Sequence, residues 1–185
     1  MGSFRVVMKK KLVTEMGRMG REEFVQARKL PLTIVLDNIR SLHNVGSVFR
    51  TSDAFRVERI LLCGITATPP SAEIHKTALG AEDVVEWHYY ADTMQAVEAL
   101  RNEGYAIYAI EQVQESIPLQ GFETDDSLHY ALILGNEVKG VQQQVVDACD
   151  GSIEIPQFGT KHSLNVSVTG GIVIWEFARK MGWVG

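Results

Sequence analysis

Three polar segments of the sequence combine side chains that could hold a substrate and a cofactor. The first runs from Leu36 to Phe55 and contains Asn44, followed by Gly46 two residues later and by Arg50 six residues later. Asn is a favourable helix N-cap, and Arg binds carboxylate or phosphate groups through paired hydrogen bonds. We therefore predict that Asn44 opens a helix, and that Arg50 on that helix binds an anion or forms a structural ion pair.

The second segment, Leu134 to Val141, follows an apolar run and places Gly135, Glu137 and Gly140 in a tight turn. Glycine lets the backbone approach a ligand closely or adopt a left-handed conformation. Glu137 is expected at the N-terminal side of the next helix, where the helix dipole favours an acid. The common nucleotide fingerprints are missing, but a glycine turn after a strand fits an adenosine-type ligand. A plain strand-to-helix turn is the alternative.

The third segment, Ile153 to Val168, alternates Ser163, Asn165 and Ser167 with apolar residues. The alternation resembles a strand, but the glycines and apolar run that follow indicate a buried helix beginning near Ser163. Small polar side chains at such a position either cap the helix or contact a ligand.

Strand-like runs alternate with helical patterns in the rest of the chain. Apolar runs of this kind suit strands buried on both faces of a parallel sheet, and the alternation predicts an open α/β sheet flanked by helices. Ligands of such sheets bind beyond the carboxyl ends of the strands, where the three polar segments lie. The predicted strands are Leu32–Asp37, Arg59–Cys63, Val84–Trp87, Tyr105–Ile110, Tyr130–Leu134 and Ser152–Ile155, with helices near 45–55, 71–79, 92–102, 138–148 and 163–180.

Composition predicts one soluble domain. The chain has 185 residues, of which 45% are hydrophobic and 22% are charged, and these are ordinary values for a globular protein. No apolar run is long enough to span a membrane, and no signal peptide opens the chain. Cys63 and Cys149 are expected to be reduced thiols of a cytoplasmic protein. The histidines lack metal-ligand spacing, so no metal is expected.

Charge is distributed unevenly along the chain. The formal net charge of −5 argues at first against a nucleic-acid partner. Residues 1–30, however, contain eight Lys or Arg residues and three acids, whereas residues 31–185 contain ten basic and twenty acidic residues. This asymmetry predicts a basic N-terminal helical arm over residues 1–30 on an acidic body. A solvated amphipathic helix with no partner is the alternative.

Taken together, the three segments resemble the motifs of the SpoU/TrmH branch of the SPOUT RNA methyltransferases. That family combines Asn with a Gly two residues later and an Arg six residues later, then a strand followed by Gly-Asn/Pro-Glu-x-x-Gly, then Ile-Pro, a Gly and Ser-Leu-Asn-Val-Ser. Order and spacing agree over about residues 31–180. The matching residues are Asn44, Gly46 and Arg50, then Gly135, Asn136, Glu137 and Gly140, then Ile155, Pro156, Gly159 and Ser163 to Ser167.

The resemblance implies a mostly parallel sheet flanked by helices, whose C-terminal part forms a deep trefoil knot. Residues 31–185 would then be a single SPOUT methyltransferase domain. The knot is expected to hold S-adenosylmethionine, and members of the family act as homodimers whose sites draw on both subunits. The residues that the resemblance assigns to the cofactor are Ile110, Leu134, Gly135, Asn136, Gly140, Ile155, Pro156, Ser163 and Leu164.

The resemblance also implies methyl transfer to a ribose 2′-hydroxyl of RNA. It makes Arg50, Asn44, Glu137, Ser163 and Asn165 the expected catalytic residues. A guanidinium with a pKa above about 12 hardly deprotonates, so binding a phosphate is physically easier for Arg50 than acting as general base. The expected RNA-binding residues are Arg50, Lys9, Lys10, Lys11, Lys139 and Lys161.

Other functions are also compatible with the sequence. A Rossmann-like protein that binds NAD or a nucleotide would have a similar alternation of elements, but it would lack the Ser-Leu-Asn-Val-Ser segment. A non-catalytic RNA-binding module and an RNA base methyltransferase could share the fold. The first motif begins near residue 36 and the chain stops soon after Lys180. This minimal architecture favours tRNA over rRNA as the substrate.

Overall fold

A seven-stranded parallel sheet forms the centre of the computed structural model, which describes residues 8–12, 15 and 17–184. The strands are β1 (Leu30–Asp37), β2 (Val57–Cys63), β3 (Glu86–Tyr90), β4 (Ala106–Ile110), β5 (Ile117–Pro118), β6 (Tyr130–Leu134) and β7 (Gly151–Glu154). Their order across the sheet is β3-β2-β1-β6-β4-β7-β5, and each described pairing of strands is parallel. The carboxyl ends of β4, β6 and β7 therefore lie side by side.

Helices cover both faces of this sheet. Phe49, Ile74 and Phe177 pack against one face, and Leu100 and Val145 pack against the other. The central strands are consequently buried on both sides, which confirms the predicted α/β class. No helix among the described residues is long and apolar enough to cross a membrane. The helices are α1 (Arg21–Gln26), α2 (Leu42–Ala54), α3 (Ala72–Ala78), α4 (Thr93–Asn102), α5 (Gln143–Ala148) and α6 (Val166–Lys180).

Most predicted elements are present with shifted ends. Helix α5 begins at Gln143 rather than near 138, because residues 136–140 form a closed loop in which the backbones of Asn136 and Gly140 pair. Helix α6 begins at Val166 rather than at Ser163, and β3 begins at Glu86, after a 3-10 turn. The two-residue strand β5 was not predicted.

The prediction that Asn44 caps α2 is wrong. Ser41 is the N-cap, and its Oγ accepts a hydrogen bond from the backbone N–H of Asn44 at 3.3 Å. Asn44 therefore sits in the first turn of the helix, where its side chain is free to bond elsewhere. Both residue types cap helices well, so the sequence alone did not distinguish between them.

Among the described residues of the basic arm, α1 is the one α-helix. Residues 8–12 and 17–20 are exposed and irregular, because they contain two glycines and no side chain that reaches the core. Phe24 of α1 is buried against the body, which itself begins with Leu30. The guanidinium of Arg21 donates to the carbonyl of Asp83 at 2.8 Å. The parts of the arm prediction that fall on residues 1–7, 13–14 and 16, and the end of the domain at Gly185, lie outside the described residues.

The C-terminal trefoil knot stays a prediction. Helix α6 follows β7 through residues 155–165 and packs on α2, β1 and β6. This arrangement places the loop before α6 next to the loop after β6, which is where the resemblance locates the knot.

Candidate active site

A cleft opens at the carboxyl ends of β4, β6 and β7. Seven of the nine predicted cofactor residues line it: Ile110, Leu134, Gly135, Asn136, Ile155, Ser163 and Leu164. Gly140 and Pro156 do not line the cleft. Gly140 instead pairs with Asn136 and shapes the loop behind it. Sequence reasoning missed Glu111, Gln112, Glu154, Gln157 and His162, which also line the cleft.

Two glycines determine the shape of the loop 135–141. A Cβ on Gly135 would lie 2.1 Å from the backbone nitrogen of Val141 and 2.2 Å from the carbonyl carbon of Gly140. Gly140 has a φ of +68°, and a Cβ there would lie 2.1 Å from Oε2 of Glu111. The loop is thus packed against itself and against Glu111 so tightly that neither position admits a side chain.

Buried polar groups hold this loop on the sheet. Asp37 is fully buried at the end of β1, and its carboxylate accepts hydrogen bonds from the backbone and side chain of Gln142 at 3.1 and 2.9 Å. Asn136 donates from Nδ2 to the carbonyl of Asn38 at 2.7 Å. Because a buried carboxylate must be hydrogen-bonded, Asp37 keeps the loop close to β1.

Glu111 anchors the other side of the loop. Its Oε2 accepts from the N–H of Val141 at 3.0 Å, and its Oε1 accepts from the N–H of Gln112 at 2.9 Å. Both carboxylate oxygens are therefore used by backbone donors, and the side chain remains at the wall of the cleft. The sequence offered no sign of this role, because Glu111 is a single acid at a strand end.

The sequence predicts Glu137 at the N-terminal side of the following helix, α5. In the structure, Glu137 contacts the start of α2 instead. Its carboxylate accepts from the backbone N–H groups of Arg40 and Ser41, both at 3.1 Å, and from Nδ2 of Asn44 at 3.2 Å. Desolvation tends to raise the pKa of Glu137, but these hydrogen bonds outweigh it and the pKa lies below its usual value. Glu137 is therefore ionised at neutral pH, and its carboxylate orients the three donors around it.

Asn165 joins the third predicted segment to the first. Its Nδ2 donates to Oδ1 of Asn44 at 3.2 Å, while its Oδ1 caps α6 by accepting from the N–H of Ser167 at 2.9 Å. Glu137, Asn44 and Asn165 thus form one hydrogen-bonded chain beside the cleft. The structure brings together side chains that lie up to 121 residues apart in the sequence.

Arg50 lies outside this chain of hydrogen bonds. It is exposed on α2, it does not line the cleft, and its side chain forms no hydrogen bond or ion pair with any described residue. The alternative of a structural ion pair is therefore not observed within the described part of the chain. Lys139 and Lys161 are exposed on the two loops that border the cleft, and Lys9, Lys10 and Lys11 are exposed in the arm.

Comparison with known proteins identifies the family. The model of the SpoU rRNA Methylase family matches residues 31–175, which is most of the chain and includes all three polar segments. The chain belongs to this family. The prediction made from the three motifs is therefore confirmed, as is the fold class, apart from the knot.

Several members of the SpoU family are similar over most of this chain. The tRNA (guanosine(18)-2′-O)-methyltransferase of Thermus thermophilus is 29% identical over 167 residues, which cover 90% of this chain and 84% of that protein. The 23S rRNA (guanosine-2′-O-)-methyltransferase RlmB of Neisseria meningitidis is 32% identical over 81% of this chain and 59% of its own length.

Solved structures of SpoU-type proteins share the fold. The A. aeolicus TrmH/SpoU tRNA modifying enzyme superposes with a TM-score of 0.77 at 27% identity, covering 88% of this chain and 81% of that one. The AdoMet-bound rRNA methyltransferase of Sinorhizobium meliloti superposes with a TM-score of 0.74 at 26% identity, covering 83% of this chain and 61% of that one.

Proposed function

We propose that the protein is a tRNA methyltransferase that transfers the methyl group of S-adenosylmethionine to a ribose 2′-hydroxyl. Its class, an S-adenosylmethionine-dependent RNA 2′-O-methyltransferase, is the class predicted from the motifs, and family membership and relatives bear this out. The observation that favours tRNA is similarity over most of both chains to two tRNA-modifying relatives, the Thermus tRNA methyltransferase and the A. aeolicus tRNA modifying enzyme.

The cleft fits the cofactor in shape and charge. Gly135 lets the loop 135–141 fold back on its own backbone at the wall of the cleft, and Ile110, Leu134 and Leu164 offer apolar contact to an adenine ring. Glu111 and Glu154 add carboxylates to the wall, which suit a ligand carrying a positive sulfonium and an ammonium group. The cofactor supplies an activated methyl group when bound, and these residues would hold it.

The substrate hydroxyl must be positioned by groups on this chain. A 2′-hydroxyl is a weak nucleophile, so its oxygen has to lie about 3–3.5 Å from the methyl carbon, in line with the leaving sulfur. Arg50 would hold an adjacent phosphate through two hydrogen bonds, since its guanidinium stays protonated. Asn44 and Asn165, oriented by Glu137, would then bond to the ribose, and Ser163 would complete the site.

We propose a homodimer, as the family resemblance implies, and the placement of Arg50 and the outer face of α6 support it. Val168 and Trp175 are 49% and 50% exposed and, with Ile172, form an apolar stripe along this helix. The ring of Trp175 packs edge-on against Phe55, the C-cap of α2, and α2 is the helix that carries Arg50. Because Arg50 does not line the cleft of its own chain, we assign it to the cleft of a second copy that covers this stripe.

We also place the protein in the cytoplasm. Both cysteines are free, and burial raises the pKa of Cys63 and of Cys149 to about 12. Protonated, shielded thiols of this kind are typical of proteins in a reducing compartment.

Methylation of purified RNA tests the proposed function directly. The protein is incubated with methyl-labelled S-adenosylmethionine and with bulk tRNA or bulk rRNA, and the RNA is digested to nucleosides. Label in a 2′-O-methylated nucleoside of tRNA is expected. Label in rRNA alone would overturn the choice of tRNA, and label on a base would overturn ribose chemistry. Cofactor binding without any transfer would favour a non-catalytic RNA-binding module.

Replacing Glu111 with glutamine is expected to weaken cofactor binding. The amide has one acceptor oxygen, so it cannot serve the N–H groups of both Val141 and Gln112 as the carboxylate does. The N–H of Val141 is part-buried and that of Gln112 is exposed, and loss of a hydrogen bond to a charged acceptor costs about 1 kcal/mol or more, so the Kd for S-adenosylmethionine should rise about fivefold or more. Titration calorimetry measures it, with the exposed Glu123→Gln variant as control. An unchanged Kd in Glu111→Gln would contradict this role.

Removal of residues 1–20 is expected to weaken RNA binding. This segment contains five of the basic residues and one acid, and its described lysines are exposed. The slope of log affinity against log salt concentration should fall by roughly one unit for each lost phosphate contact, while cofactor affinity stays unchanged. Binding measured at several salt concentrations provides the slope. An unaltered slope would make the arm a solvated segment without a role in RNA binding.

A further inference from the structure

Two loops at the mouth of the cleft expose apolar side chains to solvent. Phe158 is 97% exposed, Val138 is 77% exposed and Leu164 is 38% exposed. Val138 belongs to the loop after β6, whereas Phe158 and Leu164 belong to the loop before α6. We call Phe158 and Val138 the apolar rim, because the loops that carry them both contribute residues to the wall of the cleft, whereas Leu164 lines the cleft itself and is left to the cofactor.

Exposed lysines accompany the rim on both loops. Lys139 follows Val138 directly, and Lys161 lies three residues after Phe158. Neither lysine forms an ion pair with any residue that the structure describes, so both charges are available to an anionic partner. An exposed aromatic ring next to unpaired cations is the pattern by which proteins bind unpaired nucleotides, through base stacking and phosphate contact.

We propose that the apolar rim binds unpaired bases that flank the target nucleotide, with one base stacked on the ring of Phe158. This inference rests on the proposed methylation of RNA and extends it to the form of the substrate. A ribose that enters the cleft brings its neighbouring nucleotides across the loops that carry the rim. Bases in a continuous helix stack on each other and leave no free face, so the target lies in a loop or another unpaired segment.

A second copy of the chain is a less suitable occupant of the rim. The stripe on α6 is a separate and more continuous apolar surface, and it runs alongside the ring of Phe55. The rim, in contrast, is small and lies beside two lysines. If two copies met through this surface, the lysines of one copy would face those of the other, and their charges would repel.

The test compares Phe158→Ala, Phe158→Tyr and Lys161→Ala in the full-length protein. Leu128→Ala is the control, because Leu128 is an exposed apolar residue that precedes β6, at the amino ends of the strands and away from the cleft. For Phe158→Ala we expect the Kd for a single-stranded RNA oligonucleotide and the KM for tRNA to rise at least about fivefold. Tyrosine at this position should restore both values, and the Kd for S-adenosylmethionine should stay unchanged.

Salt dependence separates stacking from charge. Stacking releases no counterions, so Phe158→Ala should lower RNA affinity without changing the salt slope, whereas Lys161→Ala should reduce the slope by about one unit. Oligonucleotide binding is informative even if no methyl group is transferred, which keeps this test distinct from that of the proposed function. Unchanged RNA affinity in Phe158→Ala would overturn the proposal. Dissociation of a dimer in that variant, observed by sedimentation, would overturn it in favour of a second copy.

Discussion

Replacing Arg50 with alanine should abolish methyl transfer while the fold and cofactor binding persist. The side chain is exposed on α2 and forms no hydrogen bond or ion pair with the described residues, so its removal costs the folded state little. Loss of a positioned charge at a reacting centre lowers turnover by about 100- to 1000-fold. Single-turnover rates with saturating RNA measure the loss, and calorimetry checks that the Kd for S-adenosylmethionine is unchanged.

Two further variants define what Arg50 contributes. Arg50→Lys keeps the charge but loses the paired hydrogen bonds, so its activity should lie between those of the wild type and Arg50→Ala. Arg40→Ala removes another exposed guanidinium near the cleft while keeping the backbone N–H that Glu137 uses. It should retain most activity. Full activity in Arg50→Ala would remove Arg50 from the catalytic centre.

The second large effect is expected from Gly135→Ala, which should eliminate cofactor binding. The new Cβ would lie 2.1 Å from the nitrogen of Val141 and 2.2 Å from the carbonyl carbon of Gly140. Both atoms are backbone, and this stretch of backbone is held in place, because Glu111 accepts from the N–H of Val141 itself and Asp37 accepts from the N–H of Gln142, the next residue. The loop must therefore leave its position, and the Kd for S-adenosylmethionine should rise beyond the range of calorimetry.

A matched glycine variant provides the control. A Cβ on Gly121 would meet no atom within 4 Å, so Gly121→Ala should bind the cofactor as the wild type does. RNA binding by Gly135→Ala should also persist, since the arm and Arg50 are intact. Cofactor binding by Gly135→Ala at wild-type affinity would show that the loop 135–141 does not hold the cofactor.

Mixing the two inactive variants tests the shared site. If Arg50 of one copy serves the cleft of the other, a mixed dimer of Arg50→Ala and Gly135→Ala retains one intact site. Random reassortment makes half of the dimers mixed, so about a quarter of wild-type activity should return. If each site belonged to a single chain, every site would lack one of the two residues and no activity would return.

The sequence predicted the sheet well because its strands are continuous apolar runs. Tyr130–Leu134 was predicted with the observed bounds, since five buried residues in a row admit few other interpretations. The N-caps of helices were harder to predict, because Ser41 and Asn44 are both good N-cap residues and only the packed helix distinguishes them. Glu137 was matched with the helix next in sequence, whereas the structure places it at the start of α2.

The carboxylates that hold the loop 135–141 in place could not be predicted from the local sequence pattern. Asp37 and Glu111 are single acids at strand ends, and their hydrogen-bond partners lie 105 and 30 residues away. Such pairs depend on which strands become neighbours, and periodicity contains no information about strand order. The motif resemblance located the loop 135–141 but not the carboxylates that hold it.

The hydrogen bonds between Asp37 and Gln142 also affect when, during folding, the loop 135–141 becomes ordered on the sheet. Contacts between residues so distant in sequence close a long loop, and the entropy of that closure makes them form late in folding. Thr93 and Asn38 also donate to the buried carboxylate of Asp37, but Gln142 is the partner that joins it to the loop 135–141. We therefore expect this loop to become ordered on β1 only after residue 142 has been synthesised and has left the ribosome.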